Sequence, residues 1–588
     1  MKDKQKQNSN QEYLAKLRHS CAHIMAQAVQ NLFEDVKVAI GPNIEEGFYY
    51  DFDLPHKFVP EDLPKIEQEM RRIAGGKHVF ARSEKSREEA LVFFGDKQEK
   101  YKVELINEMP SGETITFYQH DTFIDLCRGP HIESTKELRY FKLLSTSGAY
   151  WRGNEKNPML QRIYGTAWHT KEDLNAYLKR IEEAKKRDHR KLGTELSLFS
   201  VHEEIGGGLI HWHPKGAMVR MLIEDLWRKE HLKAGYSIVY TPHIASEKIY
   251  SISGHLEAYS DLMYEPMDIE GRKFRLKPMN CPNHIMIYKT GLHSYRELPI
   301  RFAEMGTVYR FEKAGVLHGL MRVRGFTIDD AHIFMTHAQL EEEIISVVNF
   351  VKTFLGHFGF EDIKIYLSTR PEQFVGTKEN WDRSTEALKN SLERQDLAYE
   401  LDEGGGAFYG PKIDFKVKDS LGRLWQCSTI QLDFNLPQRF DVTYRDSSGK
   451  DEHAIMIHRA LLGSIERFFG VLVEHYGGLF PFWLAPVQVA VISVNENTNE
   501  YANKVITRFK DHNIRAQIYA DSSSISAKIR KATLEKIPIM AVVGEKEIKA
   551  NSVNLRLHNG KNIGLKTLNE AIKFFEQSSA NKKEDSHA

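Results

Sequence analysis

The segment VYRFEKAGVLHGLMRVRGFTIDDAHIF, Val308 to Phe334, decides how the chain is read. Thr307 to Glu312 and Val323 to Thr327 alternate as strands do, and they flank a loop carrying Gly315, His318 and Gly319, the pattern of a long hairpin. Arg310 and Glu312 are two apart, so on a strand they share a face and offer an anion clamp beside a carboxylate acceptor. Alone, that pair would pass for an ordinary surface ion pair. The return strand adds Arg322, Arg324, Asp329, Asp330 and His332, more charge than a structural hairpin needs.

Working outward, the 588 residues have room for about three to four domains at ~150 residues each. A hydrophobic content of 41% is that of a globular protein. The N-terminus MKDKQKQNSN has no apolar core, and no apolar run reaches membrane-span length, so the sequence indicates neither secretion nor insertion and reads as cytoplasmic with no membrane partner. Four scattered cysteines, Cys21, Cys127, Cys281 and Cys427, are too few for a disulfide framework and are better placed as thiols or ligands. Formal charge is zero. A strongly basic nucleic-acid binder is therefore not announced by composition, although the last hundred residues carry a small positive excess.

Near the start, Leu14 to Phe33 has apolar residues at three- and four-residue spacing, which predicts a helix, and His19 and His23 fall roughly opposite that stripe. Asp125-Leu-Cys127-Arg-Gly-Pro-His131 places a thiol and an imidazole around a Gly-Pro turn, and with the histidine pair it reads as a zinc site or a hydrolytic pocket. The charged run from Lys171 to Leu192 reads as a solvated connecting helix. A long amphipathic helix, about Gly216 to Lys233, precedes a strand ending at Pro242. Beyond about 483, strands at Val487 to Val494, Arg515 to Tyr519 and Ile537 to Gly544 alternate with helices at about Glu500 to His512 and Ile525 to Glu535, a βαβ layout without a Gly-rich phosphate loop.

The hairpin resembles motif 2 of the class II aminoacyl-tRNA synthetases, in the form of the threonyl family, and the resemblance extends from about 11 to 577. It implies an α+β multidomain fold: an N-terminal α+β editing domain at 11–187, a class II antiparallel-sheet catalytic core at 188–482 and a C-terminal α/β anticodon-binding domain at 483–577, between disordered tails at 1–10 and 578–588. Ten polar residues stand where many members begin with a ubiquitin-like domain. The resemblance implies ATP-dependent activation of L-threonine, transfer to tRNA(Thr) and hydrolysis of mischarged seryl-tRNA(Thr). Arg310 would grip the ATP α-phosphate with Arg322 beside it, and Glu312 would meet the adenine. Arg467 in Gly463-Ser-Ile-Glu466-Arg467, which resembles motif 3, would cover the adenine ring, and Mg²⁺ would accompany ATP. The helix and strand ending at Pro242 resemble motif 1, which forms the homodimer interface in that class.

Cys281, His332 and His458 match the zinc ligands of the family, one Zn²⁺ per subunit, which no local spacing reveals. Three protein ligands leave an open position, which threonine fills with amino group and hydroxyl together and valine cannot. Serine lacks only a methyl, a difference of about 1–3 kcal/mol that leaves it poorly excluded and makes editing necessary. Asp330 would accept the substrate hydroxyl proton, Tyr409 would line the amino-acid pocket, and Lys412, Gln426 and Gln431 would face substrate or ATP. His19, His23, Cys127 and His131 take the editing positions, and Glu547 and Arg556 align with anticodon contacts. Two rival readings are a non-catalytic RNA-binding relative, which would have no use for the ATP clamp, and a prolyl or seryl enzyme, which lacks this ligand set.

Overall fold

The computed structural model describes residues 2–580 and 582. The chain divides between Glu182 and Glu183 into two compact units.

In the first unit a helix, Lys2–Leu32, lies among two sheets and a second helix, Asp62–Gly75. One sheet contains Gly47–Asp53 between Met159–Trp168 and the short strands near residue 40; the other is Ala81–Lys85, Ile115–His120 and Phe123–Leu126. Cys21, Ile24, Met25 and Ala28 pack with Phe48, Tyr50 and Phe52 of the first sheet and with Ile66 and Met70 of the second helix. Two sequence expectations change here. The helix begins at Lys2 and takes in residues expected to be a tail, where Lys and Gln extend a helix readily and no Gly or Pro interrupts it. His23 was expected on a face turned away from the core but is 2% exposed, because the segment around Phe123 and Ile132 covers that face as well.

The second unit is built on an eight-stranded, largely antiparallel sheet. From one edge its strands run Ser237–Ile238, Ile300–Tyr309, Gly325–Met335, Ile455–Ser464, Leu424–Asp433, Lys412–Lys418, Ile363–Ser368 and Glu400–Asp402. One face is packed by the helices Leu340–Gly356, Lys378–Glu393 and Ile465–Tyr476, through Val348, Val351, Leu388, Phe468 and Leu472 against Ile333, Ile457 and Ile430. Each such side chain contributes about 1.5–3 kcal/mol on burial. Antiparallel sheets can leave the other face open, and along these strands alternate residues point there. Register then aligns a row across it: His332 is opposite His458, His458 opposite Gln431, and Gln431 opposite Lys412.

The outgoing hairpin strand ends earlier than its alternation predicts, and the return strand, Gly325–Met335, begins two residues later than expected and runs on past Thr327. Ile300–Tyr309 stops before Arg310, because the Glu312 amide turns back to the Arg310 carbonyl (2.8 Å) and the Phe311 amide leaves for Leu262 (2.8 Å). The motif 1 strand is likewise only Ser237–Ile238 rather than running to Pro242. The connecting helix ends at Arg187, where the Asp188 side chain caps a second helix, His189–Glu195.

Beyond residue 486 the chain forms a second sheet in the order Ala516–Tyr519, Val489–Ser493, Ile539–Val543, Ser552–Leu557, Asn562–Thr567. The first three strands are parallel with crossover helices at Asn499–Asp511 and Ile525–Leu534, as the βαβ pattern predicts, and the last two are antiparallel additions. The final helix ends at Ala580, so the expected C-terminal tail falls partly inside it and otherwise outside the described residues, apart from Lys582.

A bulge delivers the helix Ile465–Tyr476 to the open face. Between the Ile328 and Asp330 pairings the register shifts, and the buried Asp329 carboxylate accepts the amides of Leu461, Leu462 and Gly463 at 2.8–3.1 Å. Gly463 then turns with φ 72°, where a Cβ would sit 2.9 Å from the Cys427 carbonyl oxygen, and Ser464 accepts the Arg467 amide as the helix cap. Gly463→Ala should therefore cost on the order of 1–3 kcal/mol, read as a lower urea midpoint with unchanged secondary structure.

Candidate active site

A cavity of about 580 Å³ opens on the uncovered face of the large sheet. Arg310, Glu312, Arg322 and Arg467 line it together with Cys281, His332, His458, Asp330, Tyr409, Gln426 and Gln431. Lys412 is not among the lining residues: its ammonium pairs with Asp414, which also accepts from Gln426 Nε2 (2.7 Å).

The hairpin end holds the cations. Arg310 Nε donates to the Pro278 carbonyl (3.2 Å) and its guanidinium lies 5.5 Å from the Tyr259 ring centre and 5.1 Å from that of Phe326. Arg322 pairs with Glu312 at 3.0 Å. Arg467 Nε donates to the Met321 carbonyl (3.2 Å), tying the motif 3 helix to the hairpin loop. Glu466, next to it and buried, accepts the Thr327 amide (2.9 Å) and faces Arg220 (3.3 Å), so one carboxylate joins this helix to the hairpin and to the helix Pro214–Lys233; burial pushes it up to about 7.

In the same cavity, Cys281, His332 and His458 bring their donor atoms within 4.8 Å of one another. All three are buried, and burial drives the Cys281 thiol up and the His332 imidazole down, keeping the ring neutral. Hydrogen bonds then assign the tautomers. Asp433 Oδ1 accepts the Asn435 and Leu436 amides, and its Oδ2 lies 2.8 Å from His458 Nε2, which must carry the proton and leave Nδ1 bare. Glu304, held below its ordinary range in spite of burial by its hydrogen bond from His284 and by Lys277, lies 3.1 Å from His284 Nε2. With its Nε2 turned to Glu304, a carboxylate that only accepts, His284 has Nδ1 left to accept the His332 Nδ1 proton at 2.8 Å, and that direction leaves His332 Nε2 bare as well. The two bare nitrogens face each other at 3.0 Å beside the Cys281 sulfur. Two opposed lone pairs and a thiol repel unless a cation lies among them, and imidazole with thiolate is a donor set suited to Zn²⁺. Asp330, beside them, accepts from Asn280 Nδ2 (3.1 Å) and is raised by burial, and Tyr409 donates its hydroxyl to Gln431.

The first unit carries a separate cluster. His19 Nε2 and His131 Nε2 lie 3.3 and 3.2 Å from Cys127 Sγ, with His23 in the same group. Gly129, at φ 69°, turns the chain so that its amide donates to the same sulfur (3.2 Å). Ser20 Oγ donates to Lys16 O, so it accepts from His131 Nδ1 (2.9 Å), and His131 Nε2 is left bare. Burial pushes Cys127 up to about 12 and lowers His19, His23 and His131: a neutral thiol among neutral imidazoles. Behind His23 lies a buried ion pair, Lys102 to Asp125 at 2.5 Å, with Tyr50 donating to Asp125 at 2.6 Å.

Glu547 and Arg556 are not brought together. Glu547 follows the C-terminal end of Ile539–Val543 and accepts the Gly544 amide as a helix cap, whereas Arg556 lies opposite Met540 near that strand's start. Sequence reading missed His284, Glu304, Asp433, Asn280, Lys102 and Tyr50. His284 and Asn280 lie in the same short segment as Cys281, so proximity was an available signal; the rest are distant in sequence and give none.

Residues 264–476 match the tRNA synthetase class II core domain (G, H, P, S and T), 488–578 the anticodon binding domain, and 115–164 the threonyl and alanyl tRNA synthetase second additional domain. The threonine–tRNA ligase of Magnetococcus marinus is 52% identical over 561 residues, 95% of this chain and 87% of its own. That of Borrelia turicatae is 52% identical over 575 residues, 97% of this chain and 98% of its own. The solved RNA binding domain of threonyl-tRNA synthetase from Cryptosporidium parvum superposes with a TM-score of 0.64 at 40% identity, over 66% of this chain and 98% of that one. With identity of this extent across all three matched regions, the chain belongs to the threonine–tRNA ligases, class II aminoacyl-tRNA synthetases with an editing domain.

Proposed function

We propose that the large-sheet cavity activates L-threonine with ATP and passes it to the 3′ end of tRNA(Thr), and that the His19, His23, Cys127 and His131 cluster hydrolyses seryl-tRNA(Thr). The observation that carries this reading is the pair of bare imidazole nitrogens facing each other beside Cys281 in a cavity also lined by arginines. Cys281, His332 and His458 would hold Zn²⁺, and when bound the ion supplies a Lewis-acid position selective for an amino acid with a neighbouring amino group and hydroxyl.

Around that position the chain's own residues orient the reactants. Asp330 accepts the threonine hydroxyl proton in a hydrogen bond, and Tyr409 and Gln431, bonded to each other, form the wall beside it. Gln426 faces the cavity, and Lys412 positions it through Asp414. Arg310 takes the α-phosphate with Arg322 adding charge at the mouth, Glu312 meets the adenine and Arg467 covers the ring, with Mg²⁺ arriving with ATP. The threonine carboxylate attacks the α-phosphorus, the α–β phosphate bond breaks, and pyrophosphate leaves; the terminal ribose hydroxyl then attacks the adenylate carbonyl and AMP leaves. No side chain is a nucleophile, so rate comes from orientation and charge neutralisation.

In the editing cluster a thiol held near 12 is not a nucleophile at neutral pH, which favours water as the attacking group. A bare Nε2 of His19 or His131 takes the water proton as oxygen adds to the seryl ester carbonyl, and the ester bond breaks with the proton passing to the departing ribose hydroxyl. Glu547 and Arg556 read anticodon bases. Exposed Met221 and Leu232 on the helix Pro214–Lys233, with Tyr240 and Ile244 beyond it, support a homodimer through motif 1. No helix among the described residues is long and apolar enough to cross a membrane, which accords with a cytoplasmic enzyme.

Amino-acid-dependent pyrophosphate exchange with threonine, serine and valine tests the assignment: threonine and serine should support exchange and valine should not. The protein should carry one zinc per chain, and Cys281→Ala or His458→Ala should remove both metal and threonine activation; undiminished zinc in either variant would refute the ligand set. Arg310→Ala and Arg467→Ala should each slow adenylate formation on the order of 10²–10³-fold. Rates within a few-fold of the parent would put ATP elsewhere. A His23→Ala, Cys127→Ala double variant should charge threonine normally and accumulate seryl-tRNA(Thr). If it clears preformed seryl-tRNA as fast as the parent, the cluster is structural.

A further inference from the structure

His284 is fully buried on the helix Cys281–Tyr288, three residues after Cys281, so one helical turn carries both a sulfur donor and this imidazole. Its Nδ1 meets His332 Nδ1 at 2.8 Å and its Nε2 meets Glu304 Oε2 at 3.1 Å. Glu304 is anchored in turn: its oxygens accept the Thr241 amide (2.8 Å) and hydroxyl (2.9 Å), with Lys277 at 3.6 Å. Proton direction along this chain is therefore set at its far end, by a carboxylate that can only accept.

We propose that His284, backed by Glu304, is a positioning residue that locks His332 in the tautomer whose Nε2 is free for the metal. This rests on the zinc reading above. The alternative tautomer is close at hand: with the proton on Nε2, His332 would donate to the bare His458 Nδ1 at the 3.0 Å already present, and a neutral hydrogen bond would close the site. Two features oppose that state. The His332 Nδ1 proton has a buried acceptor in His284, and moving the proton to Nε2 would set the bare Nδ1 atoms of His332 and His284 against each other. Removing the acceptor removes both, so His332 is released to pair with His458 and the metal must compete with that bond. Partners that orient a ligating histidine generally change metal affinity about 10–100-fold when lost.

The test is zinc affinity of the full-length protein by competition with a chromogenic chelator, with no activity measurement involved. His284→Leu should bind zinc roughly 10- to 100-fold more weakly than the parent while keeping its circular dichroism spectrum. His284→Gln, whose amide oxygen can accept from His332 and whose amide nitrogen can donate to Glu304, should return affinity to within a few-fold of the parent. If the leucine variant does not fold, Glu304→Gln supplies the test, since an amide can no longer dictate the direction of the chain and affinity should again fall. A parent that holds no zinc overturns the zinc reading and this inference together. A parent that holds zinc, with Cys281→Ala losing it and either folded apolar or Glu304→Gln variant binding as tightly as the parent, overturns the positioning role alone.

Discussion

The pairing of His332 with His458, directly opposite one another on adjacent antiparallel strands, is the contact on which the catalytic region depends. It sets the register of the two central strands, and register sets everything on the open face. A slip of one residue in the strand bearing His332 would turn that imidazole into the helix-covered core and bring Ala331 or Ile333 to the cavity in its place. The hydrophobic packing of Ile333 and Ile457 on the covered face enforces that register, so apolar burial on one side of the sheet places donors on the other. The bulge at Asp329 interrupts that pairing, and it carries the strand Ile455–Ser464 into the cap of the helix that bears Arg467.

The two histidine clusters use the same physical device for different chemistry. Burial disfavours the charged form of His332 in one and of His19, His23 and His131 in the other, and the hydrogen bonds on the far side of each ring decide which nitrogen donates and which accepts. In the catalytic cavity Asp433 and the His284–Glu304 chain strip the inward nitrogens of protons, and the opposed lone pairs call for a cation. Around Cys127 one thiol hydrogen faces two imidazole nitrogens, His131 Nε2 and His19 Nε2, and can serve only one of them. One lone pair is therefore left over for water.

Legibility followed the range of the interaction. Segment types, the βαβ pattern after residue 486 and the Gly-Pro turn at Gly129 rest on local propensity and φ, and the chain states these directly. Motif residues were readable because Arg310 with Glu312, and Glu466 with Arg467, lie within one short stretch each. What was misread was also local in kind: strand ends at Tyr309 and Ile238 shifted because amides found partners outside the ladder.

Which residues meet is a different matter. Cys281, His332 and His458 come from a helix and two strands, and nothing in their spacing requires them to converge; sheet register and the covering helices do that. Glu304, Asp433 and Lys102 have ordinary sequence surroundings and acquire their roles from burial, which makes a lone charge costly and forces it to find a partner. The linear order of residues is thus enough to specify helices, strands, turns and the donor atoms available. Folding adds what pairing and exclusion of water confer, namely which donors face each other and where they gather closely enough to hold a cation.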